Sequence, residues 1–170
     1  MLCNGSKENF ISENIYFNKA TGKRIQLSIA AAKSYEGSGA FSLVDGIQNN
    51  VGMSKSSQFL GFSGDDLEAT IDLGKILTLN NISLHVFEQT ASWIYRPGFA
   101  SFYTSENGKD FQLLGNVINN ESGRHLLYKI EKQANTRYIK IIAKNAGTIA
   151  DGNPGAGNKA WLFVDEIEVN

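Results

Sequence analysis

The chain holds two histidines, His85 and His125, the side chains whose ordinary pKa best suits proton transfer near neutral pH. Neither lies in a nucleophile elbow or in a zinc-ligand spacing such as HExxH. His85 falls on the polar-facing set of an alternating segment, so both read as ordinary surface or sheet histidines. Glycoside hydrolysis needs two carboxyl groups flanking the scissile bond. Asp65 with Asp66, or Asp151, could serve only if loops set them at the right separation, and their surroundings suit turns and caps better. The glycines from Gly147 to Gly157 precede a strand-like run rather than a helix, which argues against a phosphate-cradling loop. No catalytic constellation assembles, and the chain itself reads as non-catalytic.

Binding chemistry is better represented. In Val44-Asp45-Gly46-Ile47-Gln48-Asn49-Asn50 a carboxylate, a tight turn and several carbonyl oxygens fall close together, which is what a hard cation such as Ca²⁺ prefers. Read alone, Asp-Gly is more often only a turn. The closing run Trp161-Leu162-Phe163-Val164-Asp165-Glu166-Ile167-Glu168-Val169 sets three acids inside an otherwise apolar strand, where like charges need a cation or solvent. One of them could complete the site. A second pattern is aromatic: Gln89, Trp93, Tyr95 and Arg96 share one loop, with Phe59, Phe62 and Asn153 in other loops. Sugars offer C–H patches to aromatic faces and hydroxyls to amides and guanidinium groups, so this set suits a carbohydrate subsite. Burial in the core is the commoner fate of a tryptophan, more so for Trp161 than for Trp93.

These side chains must be positioned by a β scaffold. The 170 residues are 42% hydrophobic and 19% charged with a formal net charge of -1, a globular composition without the basic stripe of a nucleic-acid binder. No apolar run reaches the ~20 residues of a membrane-spanning helix. Gly at 17, Pro at 2 and an aromatic share of 11% suit many short strands joined by glycine turns. The single Cys3 offers neither a disulfide nor a cysteine metal cluster. The start, MLCNGSKENF, has no signal-peptide pattern and fits either an intracellular protein or a piece excised from a longer one. Residues 1–17 read as a linker and 18–170 as one domain.

Alternation predicts strands at 23–29, with Ile25, Leu27 and Ile29 inward, and at 67–73, 81–87, 99–104, 111–114, 125–130, 137–143 and 161–169. A helical turn fits near 42–46, and Asn107 with Gly108 marks a hairpin. About eight antiparallel strands with long loops imply an all-β jelly-roll sandwich. If successive strands alternate direction, loops 54–66, 88–97, 115–124 and 144–160 share one end, and turns 74–80, 105–110 and 132–136 the other. The long-loop end is the functional candidate, because binding residues tend to sit on loops held by a rigid scaffold.

Taken in order, LVDG, LEATIDLG, SWIYRP, FYTSENGKDF, RYIKIIA and WLFVDEIEV resemble the factor V/VIII type C (discoidin-like) domain, a family that includes carbohydrate-binding module family 32. The stretches FNKATGKRIQL and GTIADGNPGAGNKAWLFVDEIEV are most similar to the C-terminal accessory domain of bacterial family 20 β-hexosaminidases, the chitobiase-like enzymes. The resemblance implies an eight-stranded, galactose-binding-domain-like jelly roll with a structural Ca²⁺ held by Asp45, oxygens of the stretch through Asn50, and Glu166. It also implies a module that targets a parent glycosidase to glycan outside the cytoplasm: extracellular, periplasmic or at the cell surface. The chain departs from the family where IQNNVGMSKSSQFLGF stands, with Phe59 near the position of a usual Trp. The alternative reading is a spacer that packs on the parent catalytic domain without sugar affinity.

Overall fold

The computed structural model describes residues 15–170. Of the expected linker at 1–17, residues 1–14 lie outside the described residues, and the Tyr16 amide donates to the Gly46 carbonyl at 2.8 Å. Seven strands are present among the described residues: β1 Arg24–Leu27, β2 Leu60–Ser63, β3 Leu67–Phe87, β4 Ala100–Ser105, β5 Gln112–Val117, β6 His125–Ala143 and β7 Trp161–Val169. Short 3-10 turns occupy Lys33–Tyr35, Gly39–Leu43, Gly52–Gln58 and Thr90–Ser92.

The seven strands all pair antiparallel, in the order β2-β7-β3-β6-β4-β5, with β1 also on β3; the isolated bridge Ile94↔Trp161 is parallel. β3 and β6 pair from Leu67↔Ala143 to Phe87↔His125, with register shifts between Asp72 and Leu77 and between Leu79 and Asn81. Those irregularities bend both strands, since bulges sharpen local twist. The first half of β3 pairs with β1 and its second half with β7. One hydrogen-bonded sheet thus doubles over into the two layers of a jelly roll. The expected turns at 74–80 and 132–136 are these bends within continuous strands, so two pairs of predicted strands merge, while β2 forms inside an expected loop.

The alternation in LEATIDL is realised: Leu67, Ala69, Ile71 and Leu73 are buried between the layers, where they meet Leu84, Val86, Phe102, Tyr128, Ile139, Ile141, Val164 and Ile167. The second layer is covered on its outer face too. Tyr35, Met53 and Phe59 from the long 28–59 connection pack on Phe87, Ile94, Trp161 and Phe163, so β7 reads as a nearly continuous buried run. Two expectations are corrected. Ile29 lies beyond the end of β1 and is 49% exposed rather than inward. Phe59 and Phe62 are core residues rather than loop-end aromatics. His85, expected as a surface or sheet histidine, stands in β3 and is 3% exposed.

At the bend Arg137 donates from Nε to Asp72 Oδ1 at 2.8 Å and from Nη2 to Oδ2 at 2.9 Å, joining β6 to β3 where both change layer. The Arg137 guanidinium holds the Asp72 carboxyl down at about 2 from 3.8, against the opposing effect of burial. A lowered folded-state pKa favours the folded state above about 3.8, and that contribution fades as pH falls through about 2. The Asp72 carboxyl resonance should therefore titrate near 2, and in Arg137→Met it should return toward the ordinary value while the acid limb of the stability curve flattens. Leu84→Ala should cost about 2–5 kcal/mol in denaturant unfolding, because Leu84 is wholly enclosed. The same change at exposed Leu113 should stay within about 0.5 kcal/mol.

Candidate functional site

The long loops meet on one rim. Gly98 donates to the Lys144 carbonyl and Lys144 to that of Phe99, both at 2.9 Å, and the Glu88 amide reaches the Arg124 carbonyl at 2.7 Å. Asn145 ties three segments together: its Nδ2 donates to the carbonyls of Phe62 (3.2 Å), Asp65 (3.1 Å) and Ala160 (3.3 Å). The turn at the opposite end is closed by Thr136, whose hydroxyl accepts from the Ser105 amide at 3.0 Å. The 88–97, 115–124 and 144–160 loops therefore share one end with the segment through Phe62 and Asp65.

On that rim Trp93 stands out. It is 41% exposed, and its backbone sits at φ 63°, ψ 18°, the left-handed region that a bulky residue rarely enters. Backbone bonds hold it there: its amide donates to the Thr90 carbonyl at 2.9 Å, and its own carbonyl accepts from Trp161 at 2.8 Å. The indole lies against Gly155, where a Cβ would come within 2.5 Å of Trp93 Cδ1. Tyr95 leans on the same loop, its hydroxyl donating to the Pro154 carbonyl at 2.8 Å. Trp93, Tyr95 and the 153–155 stretch thus form one platform.

The other sequence candidates are placed as follows. Gln89 brackets the turn that carries Trp93, exchanging backbone bonds with Ile94, and its Nε2 donates to Ser92 Oγ at 2.7 Å. Asn153 is exposed and donates weakly to the Ala150 carbonyl at 3.3 Å. Arg96 is committed to the protein: Nε reaches Glu88 at 2.9 and 3.0 Å, Nη2 also binds Glu88, and Nη1 donates to the carbonyls of Asn119 (3.2 Å) and Glu121 (2.9 Å). Burial pushes the Glu88 carboxyl up, but the Arg96 guanidinium outweighs it and holds the pKa below its ordinary value. Arg96 therefore fastens the 88–99 loop to the 118–124 loop. Sequence reasoning missed Glu88 and Asn145 as the groups that lock this rim. An acid eight residues from Arg96 was the available signal for the first, and none marked Asn145.

The second candidate centre lies where the Asp-Gly turn meets β7. Glu166 is 2% exposed; its Oε2 accepts from the Gly46 amide at 3.2 Å and its Oε1 from Asn18 Nδ2 at 3.5 Å. Burial, and after it the neighbouring Asp45, push its pKa to about 9. Gly46 turns at φ 80°, and a Cβ there would approach the Tyr16 carbonyl at 3.1 Å. Asp45 Oδ1 accepts from the Ile47 amide at 2.8 Å. Asn50 is exposed, whereas Asn49 is buried and its amide donates to Asp165 Oδ2 at 2.5 Å. Asp165 also meets His85 Nδ1 at 2.5 Å, and the His85 ring lies parallel to that of His125. The acids of β7 thus divide: Glu166 faces Asp45, and Asp165 faces His85.

No protein-family model and no curated protein matches the chain. Solved structures do. Chitosan-binding module 1 from a Paenibacillus sp. IK-5 chitosanase/glucanase superposes with TM-score 0.56 at 14% identity, covering 91% of this chain and 99% of that one. A Streptococcus pneumoniae fucose-binding module gives 0.57 at 19%, covering 90% and 94%. The Clostridium perfringens module CpGH89CBM32-5, in complex with GalNAc-β-1,3-galactose, gives 0.57 at 13%, covering 86% and 93%. At such identities the likeness establishes the fold alone, a galactose-binding-like jelly-roll β-sandwich.

Proposed function

We propose that the chain is a non-catalytic carbohydrate-binding module that takes glycan on the long-loop rim. The observation that carries this reading is Trp93, an exposed indole held in a strained backbone conformation at the one end where the long loops converge. Strain of this kind persists where the surroundings enforce it and clusters at functional sites. A sugar ring would stack on the indole, while Gln89, Tyr95 and Asn153 offer polar atoms around it. Arg96 serves by holding the loops rather than by contact. The structurally similar modules support the ligand class, and those drawn from glycoside hydrolases support a parent enzyme that acts on glycan outside the cytoplasm. A chitobiase-like parent is the finer form of the same proposal.

A structural Ca²⁺ is part of the proposal. A buried carboxyl group facing a second carboxyl is costly unless a proton or cation separates them, and buried Glu166 beside half-buried Asp45 is such a pair. Among the described residues no group of three His, Cys, Asp or Glu side chains gathers to hold a metal, so oxygens of the 45–50 turn, Asn50 among them, would complete the shell. The ion would tie that turn to β7.

Isothermal titration with chitosan oligosaccharide, fucose and GalNAc-β-1,3-galactose should find at least one ligand, and Trp93→Ala should weaken it about tenfold or more, equivalent to about 1.4 kcal/mol, with an unchanged melting temperature. Absence of binding at millimolar sugar would remove the reading in favour of a spacer domain. For the metal, saturating Ca²⁺ should raise the melting temperature by several degrees over chelator, since an ion at ~100 times its Kd adds about 2.7 kcal/mol. Glu166→Gln should abolish that response, and equal melting of the native chain with and without Ca²⁺ would exclude the site.

A further inference from the structure

We infer that the rim carries a second sugar subsite, a cleft on the shoulder of the first layer, and that this cleft and the Trp93 platform together take a linear oligosaccharide of amino-sugar units. The inference rests on the glycan-binding reading of Trp93 and names the ligand class. At the rim β7 has a different neighbour on each side. On one side Trp161 donates to the Trp93 carbonyl at 2.8 Å and accepts from the Tyr95 amide at 2.9 Å; on the other, the Ala160 carbonyl accepts from the Gly64 amide at 2.8 Å. Two strand spacings of ~4.8 Å put Trp93 and Gly64 about 10 Å apart. The 147–159 loop serves both, with Gly155 against the Trp93 indole and the Lys159 side chain against Gly64. A single sugar ring cannot touch both ends of that span, whereas a short chain can.

From Gly64 the surface opens into a cleft of about 310 Å³. Ile142, opposite Glu68 in the β3–β6 ladder, and Ile29, 49% exposed just beyond β1, give it an apolar floor. Sugar rings lay C–H patches on such a floor and turn hydroxyls to the polar groups around it. Three carboxylates and one lysine line the cleft. Asp66 accepts from Lys144 Nζ at 2.8 Å, and Glu68 pairs with Lys140 Nζ at 3.1 Å. Both pairs are partly exposed, so they hold the side chains loosely and exchange readily with ligand hydroxyls. Asp65 is exposed, and its carboxylate has no ion-pair partner among the described residues. The lining is therefore left with an excess of negative charge, which attracts a protonated sugar amine and repels an acidic sugar.

The test is calorimetric titration of glucosamine and of chitosan oligosaccharides from dimer to hexamer. Affinity should rise about tenfold or more from dimer to hexamer, because a chain seated on Trp93 presents its far end to the cleft at high effective concentration. In ¹⁵N spectra the hexamer should shift the Glu68 and Lys144 amides together with the Trp93 indole. Asp65→Lys, a change at an exposed side chain, should erase the gain with chain length at an unchanged melting temperature, and Ile29→Ala should reduce it. Equal affinity for dimer and hexamer, a gain that survives Asp65→Lys, or shifts confined to Trp93 would overturn the second subsite and leave the Trp93 reading standing. Binding of fucose or GalNAc-β-1,3-galactose without any chitosan oligomer would do the same, whereas absence of binding by every sugar would remove both.

Discussion

The β3–β6 ladder is the constraint on which the rest of the molecule depends. It runs the length of both strands and bends near Asp72 and Leu79, so the same pair of strands supplies the centre of both layers. β1 and β7 then occupy the two halves of one edge of β3, while β4 pairs with the latter half of β6. Closing the layers on each other buries Leu67 through Leu73 against Ile82, Leu84 and Val86. Fully burying each such side chain is worth about 1.5–3 kcal/mol. The bend is thus what turns an extended sheet into a core.

The same geometry delivers the rim. Because β3 and β6 each cross both layers without reversing, the connections that do reverse the chain between 87 and 100, 117 and 125, and 143 and 161 fall at one end. Once there, they are welded by groups that are polar but internally satisfied: Glu88 with Arg96, and Asn145 with three carbonyls. A preorganised loop end spends less of its binding energy on ordering when a ligand arrives. Trp93 is held on that end by backbone bonds and by a glycine whose lack of a side chain admits the indole.

The outer face of the second layer shows what the covering loops impose. His85, Asp165 and Glu166 stand on a face that in a simple antiparallel sheet would meet water. The 28–59 connection, closed by Phe59 and the amide of Asn49, removes that water. The buried acids must then find partners or hold protons, and each does: His85 and a backbone amide for Asp165, a raised pKa beside Asp45 for Glu166. Polar groups on a doubly covered layer become chemical sites because bulk solvent no longer screens them.

The strands with clean alternation were legible in the sequence, because one buried and one solvated face leave a period of two: Leu67 to Leu73 is the clearest case, and Ile82, Leu84 and Val86 follow it. The convergence of the long loops on one end was also legible, since strand direction alternates whatever the side chains are. The Asp-Gly turn and the acids of the last strand marked the carboxylate centre without saying which acid faced which partner. What only the tertiary structure decided was the fate of residues whose surroundings come from distant segments. Phe59 and Phe62 went to the core, Arg96 was committed to Glu88, His85 was buried beside Asp165, and Trp93 was left exposed. Periodicity reports which side of a strand a residue occupies, but whether that side meets water depends on a connection dozens of residues away, and no local pattern encodes that contact.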